Sequence, residues 1–370
     1  MQPTRRLATN LVSLGLRAAS SHPVLDPVTH VLRSPVTDVE LVVTDLADFI
    51  WRKADKWKHW PALTDAVTGC SFTYGEARAA SERLSVSLPD SAGLQPGDVL
   101  ALVMPNSPEF AFALLGAAAA GIVVTPANPL YTAEELSRQL RDAGAKAVVT
   151  VPSYLDKVRE ALERSGGAQL IVSCASEADE VQLGPDVLSL RALLSREYTR
   201  RTPRLPRPDP DQLVVLPYSS GTTGLPKGVR ITHRNMVANL CQMEHPDVVA
   251  TAPEGTQDVT VSVLPFFHIY GMNGVLNLSL SLGRHTVILP RFEAGQYATV
   301  IARYKPTVLS VVPPLMMFMA NSDLVAPSDL NRVRFVTCGG APATPALIQQ
   351  FVKRANSKNL DFREGTISFR

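Results

Sequence analysis

The chain has 370 residues, enough to bury a substantial hydrophobic core and typical of about two or three domains or subdomains. Its 36 basic and 34 acidic residues give a formal net charge of +2, so the overall charge does not indicate a nucleic-acid-binding protein. The four cysteines are too widely spaced for a zinc or redox motif, and no two histidines have the spacing of a zinc hydrolase. The sequence therefore predicts no metal site built by this chain alone, and it predicts reduced thiols in an intracellular protein.

Residues 1–25 form a basic, serine-containing segment without acidic side chains. Arg5, Arg6 and Arg17 are its only charged side chains, and the first carboxylate of the chain is Asp26. This composition is typical of a mitochondrial presequence, and a disordered basic tail is the alternative that the sequence leaves open.

An alternation of strands and helices begins at Val99 and predicts a mostly parallel sheet with helices on both faces. The apolar stretch from Phe110 to Ala127 approaches the length of a membrane span, but Gly116 and Gly121 interrupt it. A buried helix followed by a buried strand explains it better, so no transmembrane segment is predicted. Strands are predicted at 99–104, 122–127, 147–151 and 169–173, and helices at 107–120, 132–143 and 153–165.

A proline-rich segment at 201–212, RTPRLPRPDPDQ, predicts an extended connection. It divides the chain into a first α/β subdomain at 26–205 and a second at 206–370. In the second, strands are predicted at 213–219, 259–264, 286–289, 307–312 and 333–337, and helices at 232–243, 272–282, 294–304, 314–321 and 345–355.

The segment from Ser219 to Gly228, SSGTTGLPKG, combines glycines, hydroxyl side chains and one lysine between a predicted strand and a predicted helix. Glycines let backbone N–H groups converge on an oxyanion, and Lys227 adds a mobile positive charge. A P-loop NTPase is excluded, because two residues separate Gly224 from Lys227 and Gly228 replaces the metal-binding hydroxyl. An ordinary connection is rich in the same residues, but it rarely contains an internal Pro-Lys-Gly. The pattern therefore predicts a phosphate-binding loop.

Three segments carry a resemblance to one family. Residues 217–235, PYSSGTTGLPKGVRITHRN, resemble the signature loop of the acyl-adenylate-forming superfamily, which includes acyl-CoA synthetases, 4-coumarate:CoA ligases and beetle luciferases. Residues 264–272, LPFFHIYGM, are similar to the segment whose histidine lies beside the acyl carboxylate and the α-phosphate. Residues 337–342, TCGGAP, are similar to the turn on the adenine side. With the segment at 105–136, the resemblance covers most of residues 40–365.

This resemblance implies the large N-terminal α/β domain of the adenylate-forming fold, with subdomains of mostly parallel sheets flanked by helices. It implies that Lys227 and His268 are catalytic, and that His268, Tyr270 and Gly340 line the acyl pocket. A core histidine and ordinary core packing are the alternatives for His268 and Tyr270. The implied ATP-binding residues are Ser219, Ser220, Gly221, Thr222, Thr223, Gly224, Lys227, Gly339, Gly340, Ala341 and Pro342.

The implied function is that of an ATP-dependent acid:CoA ligase that forms an acyl-adenylate and then a thioester from an aryl-propenoic or fatty carboxylate. ATP and CoA are the implied substrates and Mg²⁺ the implied metal ion. The matching ends at Gly365, before the family's magnesium, ribose and lysine motifs and its C-terminal lid domain. We therefore expect the chain as written to be truncated and inactive.

Two other functions remain open at this point. One is a luciferase-like oxidoreductase, which shares the adenylation step, and the other is a non-catalytic short form that binds nucleotide or a partner. The basic N-terminus predicts a mitochondrial location, while the full-length form of such a ligase is alternatively peroxisomal. The sequence does not decide which carboxylate is used or the oligomeric state.

Overall fold

The structure of the protein is a computed structural model. It describes residues 28–29, 38–166, 187–195, 206–219, 226–357 and 360–365, together with the strand backbone at 24–25, 32–33 and 170–173. The predicted leader at 1–25 thus lies almost wholly outside the described residues. Among the described residues no helix is both long enough and apolar enough to cross a membrane.

The strands are numbered in chain order. They are β1 Val24–Leu25, β2 Leu32–Arg33, β3 Pro61–Asp65, β4 Ser71–Thr73, β5 Val99–Val103, β6 Val123–Pro126, β7 Ala145–Thr150, β8 Leu170–Ser173, β9 Val187–Ser189, β10 Leu213–Val215, β11 Tyr218–Ser219, β12 Lys227–Gly228, β13 Ile231–Thr232, β14 Val259–Ser262, β15 His285–Ile288, β16 Val308–Val311, β17 Phe335–Cys338 and β18 Asp361–Glu364.

The α-helices span Leu46–Trp51, Tyr74–Ala92, Pro108–Ala119, Ala133–Ala143, Leu155–Ser165, Leu190–Ser195, His233–Met243, Leu278–Ser281, Ala294–Tyr304, Pro313–Asn321, Pro327–Leu330 and Pro345–Ala355. A π-helical segment at Tyr270–Asn277 precedes Leu278–Ser281, and 3₁₀ turns occupy Ala54–Trp57 and Pro152–Tyr154.

The first large sheet has the strand order β13-β10-β6-β5-β7-β8-β9 and is parallel except for the pair β13–β10. Every residue of β5 and β6 is buried, as expected for parallel strands covered on both faces. The apolar stretch from Phe110 to Ala127 forms the buried helix Pro108–Ala119 and the strand β6, which confirms that prediction.

The second large sheet has the order β18-β17-β16-β14-β15-β3-β4 and is parallel except for the pair β3–β4. The prediction of an α/β fold with mostly parallel sheets is confirmed. Both sheets, however, mix strands from the two sides of residue 206: β10 and β13 join the first, and β3 and β4 join the second. The two predicted subdomains therefore do not correspond to the two sheets, because a local proline-rich segment carries no information about long-range strand pairing.

A long helix that the sequence analysis did not predict, Tyr74–Ala92, packs against the helix Pro108–Ala119. Its start is defined by a capping box, in which the Thr73 hydroxyl accepts from the Glu76 N–H and the Glu76 carboxylate accepts from the Thr73 N–H. Gly116 lies at this contact. A Cβ at Gly116 would sit 2.6 Å from Cβ of Leu84 and 2.9 Å from the Ser81 carbonyl oxygen, so the two helices are as close as a glycine allows.

The substitution Gly116→Ala should force these helices apart and lower the free energy of unfolding by about 1–3 kcal/mol, the usual cost of overpacking a core. Gly295→Ala is the matched control, because Gly295 is also helical and a Cβ there would meet its nearest atom at 3.5 Å. We expect the control to be as stable as the parent chain, or slightly more stable. Urea denaturation measures both, and equal midpoints for the two variants would contradict the close helix contact.

Candidate active site

The candidate site lies at the carboxyl ends of the parallel strands of the second sheet, where open α/β sheets bind ligands. Strands β14, β16 and β17 end there, and the chain leaves them through the segments 263–268, 312–314 and 339–342. Two of the three sequence motifs, the one with His268 and the one with Gly339 and Gly340, therefore meet at this edge.

Hydrogen bonds in the loop after β14 fix the position of His268. The backbone N–H of His268 donates to the Pro265 carbonyl at 3.1 Å, and the His268 carbonyl accepts from the Met272 N–H at 2.9 Å. Its Nδ1 accepts from the Tyr270 backbone N–H at 3.1 Å. Because a nitrogen that accepts carries no proton, the neutral ring holds its proton on Nε2.

Solvent reaches the His268 side chain, yet partial burial lowers the pKa of its imidazole below the ordinary histidine value. Protonation would also place a second N–H at Nδ1, facing the Tyr270 backbone N–H. Both effects favour the neutral ring at neutral pH. His268 therefore offers an Nε2–H donor to a ligand oxygen, and the alternative of a satisfied core histidine does not describe it.

Tyr270 lies next to the glycine turn after β17. Its hydroxyl reaches the carbonyl oxygens of Thr337 at 3.3 Å and Val311 at 3.4 Å, and burial raises the pKa of the phenol to about 12. The phenol thus stays neutral and acts as a hydrogen-bond donor. A Cβ at Gly339 would lie 3.1 Å from Cε1 of the Tyr270 ring, so the ring packs directly against the glycine backbone.

Two glycines in this edge are required by geometry. Gly340 has φ +81°, a left-handed conformation that favours glycine. At Gly271 a Cβ would lie 2.1 Å from the Pro265 carbonyl oxygen. The sequence analysis gave no role to Gly271, although its place directly after the His-Ile-Tyr run was visible. It lets the chain turn from the histidine loop into the helical segment, which begins at Tyr270 rather than at the predicted position 272.

The predicted phosphate loop is described only at its two ends. Ser219 and Lys227 face each other in the antiparallel pair β11–β12, and the Lys227 side chain is exposed. This pairing brings the start and the end of the loop together. The predicted residues between them, Ser220, Gly221, Thr222, Thr223 and Gly224, lie outside the described residues.

The base of this hairpin is packed by Tyr218. Its hydroxyl donates to the Asp142 carboxylate, and its ring lies 3.1 Å from where a Cβ at Gly228 would be. Of the remaining predicted ATP-binding residues, Ala341 and Pro342 are exposed in the turn after β17. No hydrogen bond or ion pair is found between Lys227 and His268 in the described part of the chain.

Asn106 joins the first sheet to the histidine loop, a role that the sequence analysis missed. The residue follows β5, is 5% exposed, and donates from Nδ2 to the Leu264 carbonyl at 2.9 Å. Its Oδ1 accepts from the Phe266 N–H at 2.8 Å. One buried amide therefore holds both backbone groups of the loop that carries His268. No pattern in the neighbouring sequence indicates this role, because both hydrogen-bond partners are about 160 residues away in the sequence.

Two cavities open at this edge. One, of about 690 Å³, lies between the carboxyl ends of the two sheets and includes Asn106, Asn128, Phe267 and Arg291 in its lining. The other, of about 510 Å³, is lined by Tyr270 and Gly339 and continues along the second sheet. The described residues contain no cluster of three histidine, cysteine or acidic side chains suited to a metal ion.

Comparisons with known proteins find similar sequences and similar folds. The model of the family described as AMP-binding enzyme matches residues 50–360. A curated relative, 4-coumarate--CoA ligase 3 of Oryza sativa subsp. japonica, is 35% identical over 328 residues, which cover 88% of this chain and 56% of the relative. The chain thus spans about half the length of the curated relatives it matches.

Solved structures with a similar fold are found as well. ATP-bound MatB from Rhodopseudomonas palustris is 26% identical with a TM-score of 0.70, covering 88% of this chain and 60% of that one. The inhibitor-bound N-terminal domain of FACL13 from Mycobacterium tuberculosis is 25% identical with a TM-score of 0.71, covering 88% and 76%.

The replacement Asn106→Ala should leave the Leu264 carbonyl and the Phe266 N–H buried without partners, and should lower the free energy of unfolding by about 2–4 kcal/mol. The control Asn128→Ala removes an amide that accepts one local hydrogen bond, from the exposed Leu130 N–H, and should cost under about 1 kcal/mol. Chemical denaturation compares the two variants. If they lose the same stability, Asn106 does not support the loop.

The imidazole of His268 should titrate below the ordinary histidine range, with its neutral form protonated at Nε2. Because the folded state binds this proton more weakly than the unfolded chain does, acidification through the ordinary histidine range should reduce stability. Side-chain ¹⁵N NMR, assigned with His268→Gln, reports both the pKa and the tautomer. A pKa at or above the ordinary value would contradict the effect of burial, and a proton on Nδ1 would contradict the hydrogen bond from Tyr270.

Proposed function

The chain belongs to the AMP-binding enzyme family, and we propose that it provides the binding site for ATP and a carboxylic acid at which an acyl-adenylate forms, the first step of acid:CoA ligation. The observation that carries this proposal is the meeting of the His268 loop with the Gly339–Gly340 turn beside a cavity of about 510 Å³. The rice relative is named as a ligase of this kind, which supports the proposal.

The chemistry demands charge neutralisation and alignment. A carboxylate oxygen must attack the α-phosphorus of ATP, which is itself anionic, while pyrophosphate leaves on the opposite side. A neutral donor fixed at the point where the two anions meet lowers their repulsion without binding either irreversibly. His268 has the required form, because its Nδ1 is occupied and its Nε2–H is free to donate to an oxygen.

The phosphate end of ATP is assigned to the β11–β12 hairpin. Lys227 lies exposed at the end of the glycine-rich loop, opposite Ser219, where its ammonium group can follow the leaving pyrophosphate. The turn at Gly339 and Gly340 has backbone without side chains, against which a flat purine can lie. Tyr270 stays neutral and shapes the acyl side of the same turn.

Magnesium and CoA take no step in this proposal. The described residues contain no cluster that fits a divalent metal ion, so no step is routed through Mg²⁺. No residue of this chain is assigned to CoA. The thioester step is proposed only because similar proteins are named as CoA ligases. The acid is an aryl-propenoic or fatty carboxylate that enters the cavity beside Tyr270.

Lys227→Met should weaken ATP binding by about ten- to a hundredfold, the effect of losing one charge-assisted contact. It should leave the binding of 4-coumaroyl-sulfamoyl-adenosine, a stable adenylate mimic without β- and γ-phosphates, unchanged. Isothermal titration calorimetry on the 370-residue chain measures both ligands. Lys353→Met, which removes another exposed lysine, is the control and should alter neither affinity.

Failure of the unchanged chain to bind either ligand would count against the proposed function. If Lys227→Met weakens the binding of both ligands equally, Lys227 does not contact the pyrophosphate end of ATP. The rest of the proposed site would be unaffected by that result.

A further inference from the structure

The cavity beside Tyr270 runs along one face of the second sheet from its carboxyl edge toward its amino edge. Of its lining residues, Tyr270 and Gly339 lie at the carboxyl edge of the sheet, and Phe335 and Arg284 lie toward the amino edge. Phe335 and Gly339 are four residues apart in extended chain at about 3.3 Å each, so the lining extends roughly 13 Å along the strand direction. An acyl group that enters beside Tyr270 would point its far end at Arg284.

The Arg284 guanidinium is a buried cation with almost no protein partner. The residue precedes β15 and is 3% exposed. Its Nη2 donates to the Ala250 carbonyl at 3.3 Å, and its Nε has no hydrogen-bond partner among the described residues. Burial lowers the pKa of this guanidinium to about 10, with the nearby Asp258 offsetting part of the effect. Its backbone is held independently, by bonds to Ser279 and Tyr74.

Two carboxylates, Asp258 and Glu244, act on Arg284 through their charge but form their own contacts with other cations. Both oxygens of Asp258 accept from the Arg334 guanidinium, and Oε2 of Glu244 accepts from Arg52, while the buried Oε1 of Glu244 has no hydrogen-bond partner among the described residues. Within the described ranges no carboxylate forms an ion pair with Arg284.

The remaining charged groups of the cavity lining do not reach it either. Arg363 pairs with Asp361, and Glu364 accepts from the Ala343 N–H at 2.6 Å. The exposed Asp247 lies 3.8 Å from His245. The Arg284 guanidinium therefore lines the cavity without an ion-pair partner among the described residues.

We propose that Arg284 is a specificity-determining residue that binds a carboxylate at the far end of the acyl group, so that the substrate is a dicarboxylic acid. This inference rests on the proposed function, because it takes the cavity beside Tyr270 as the acyl pocket. An unpaired charge buried in protein is costly, and an anionic ligand group that reaches it relieves that cost. An alkyl or unsubstituted phenyl end would instead displace water from the guanidinium and return no hydrogen bond.

Three adenylate mimics with one carbon skeleton test this inference: cinnamoyl-, 4-hydroxycinnamoyl- and 4-carboxycinnamoyl-sulfamoyl-adenosine. Each is titrated calorimetrically into the 370-residue chain and into the variants Arg284→Met and Arg284→Lys. We expect the 4-carboxy ligand to bind the parent chain about ten- to a hundredfold more tightly than the cinnamoyl ligand. The advantage should vanish or reverse in Arg284→Met and persist in part in Arg284→Lys.

The outcomes separate this inference from the function on which it rests. If the cinnamoyl ligand binds as tightly as the 4-carboxy ligand, or if the preference survives Arg284→Met, the inference is overturned while adenylate binding stands. Tighter binding of the 4-hydroxy ligand than of the 4-carboxy ligand would assign this end of the cavity to a neutral phenol and also overturn it. If no mimic binds the parent chain, the proposed function fails together with the inference.

Arg284→Met should fold, because replacing an unpaired buried charge by an apolar side chain of similar length is often neutral or stabilising. The comparison of the three ligands on the parent chain needs no variant, so the inference stays open to refutation even if the variant fails to fold.

Discussion

The position of the site depends on one buried amide. The first sheet ends beneath the histidine loop of the second, and Asn106 satisfies both the Leu264 carbonyl and the Phe266 N–H across that junction. A loop so close to a cavity has few regular backbone partners, and an unsatisfied buried carbonyl or N–H is expensive. The amide, with its acceptor oxygen and its donor nitrogen at a fixed separation, pairs with the backbone groups that no strand partner satisfies there. The sheets and the loop are consequently positioned together.

At the carboxyl edge of the second sheet, close contacts with the backbone leave no room for side chains at two positions. The ring of Tyr270 lies against Gly339, and Gly271 lies against the Pro265 carbonyl, so neither glycine leaves room for a methyl group without movement of its neighbour. The same packing that excludes a side chain leaves bare backbone at the rim of the cavity. A flat ligand surface needs such a rim, so the tight packing and the proposed binding of a purine have one cause.

Local patterns in the sequence predicted much of the fold. Most features that were not predicted depend on contacts between residues far apart in the sequence. The helices Ala294–Tyr304 and Pro345–Ala355 have their predicted bounds, because a cap and an amphipathic pattern define each. The helix Tyr74–Ala92 was missed although Thr73 and Glu76 form a capping box. The mixing of strands across residue 206 could not be read locally, since pairing partners such as β3 and β15 are more than 200 residues apart. At the candidate site, the motifs pointed to His268 and Gly340, which the structure places at the same sheet edge, whereas no local pattern pointed to Asn106.

Arg284 is the clearest case of a residue whose meaning only the fold reveals. In the sequence it lies in the run Gly-Arg-His, which is typical of an ordinary turn before a strand. In the structure it is almost fully buried, and among the described residues no carboxylate forms an ion pair with it. Folding alone gains little from such a group, because burial removes its hydration and the protein returns one weak contact. The carboxylate of the proposed substrate would supply the partner that folding does not.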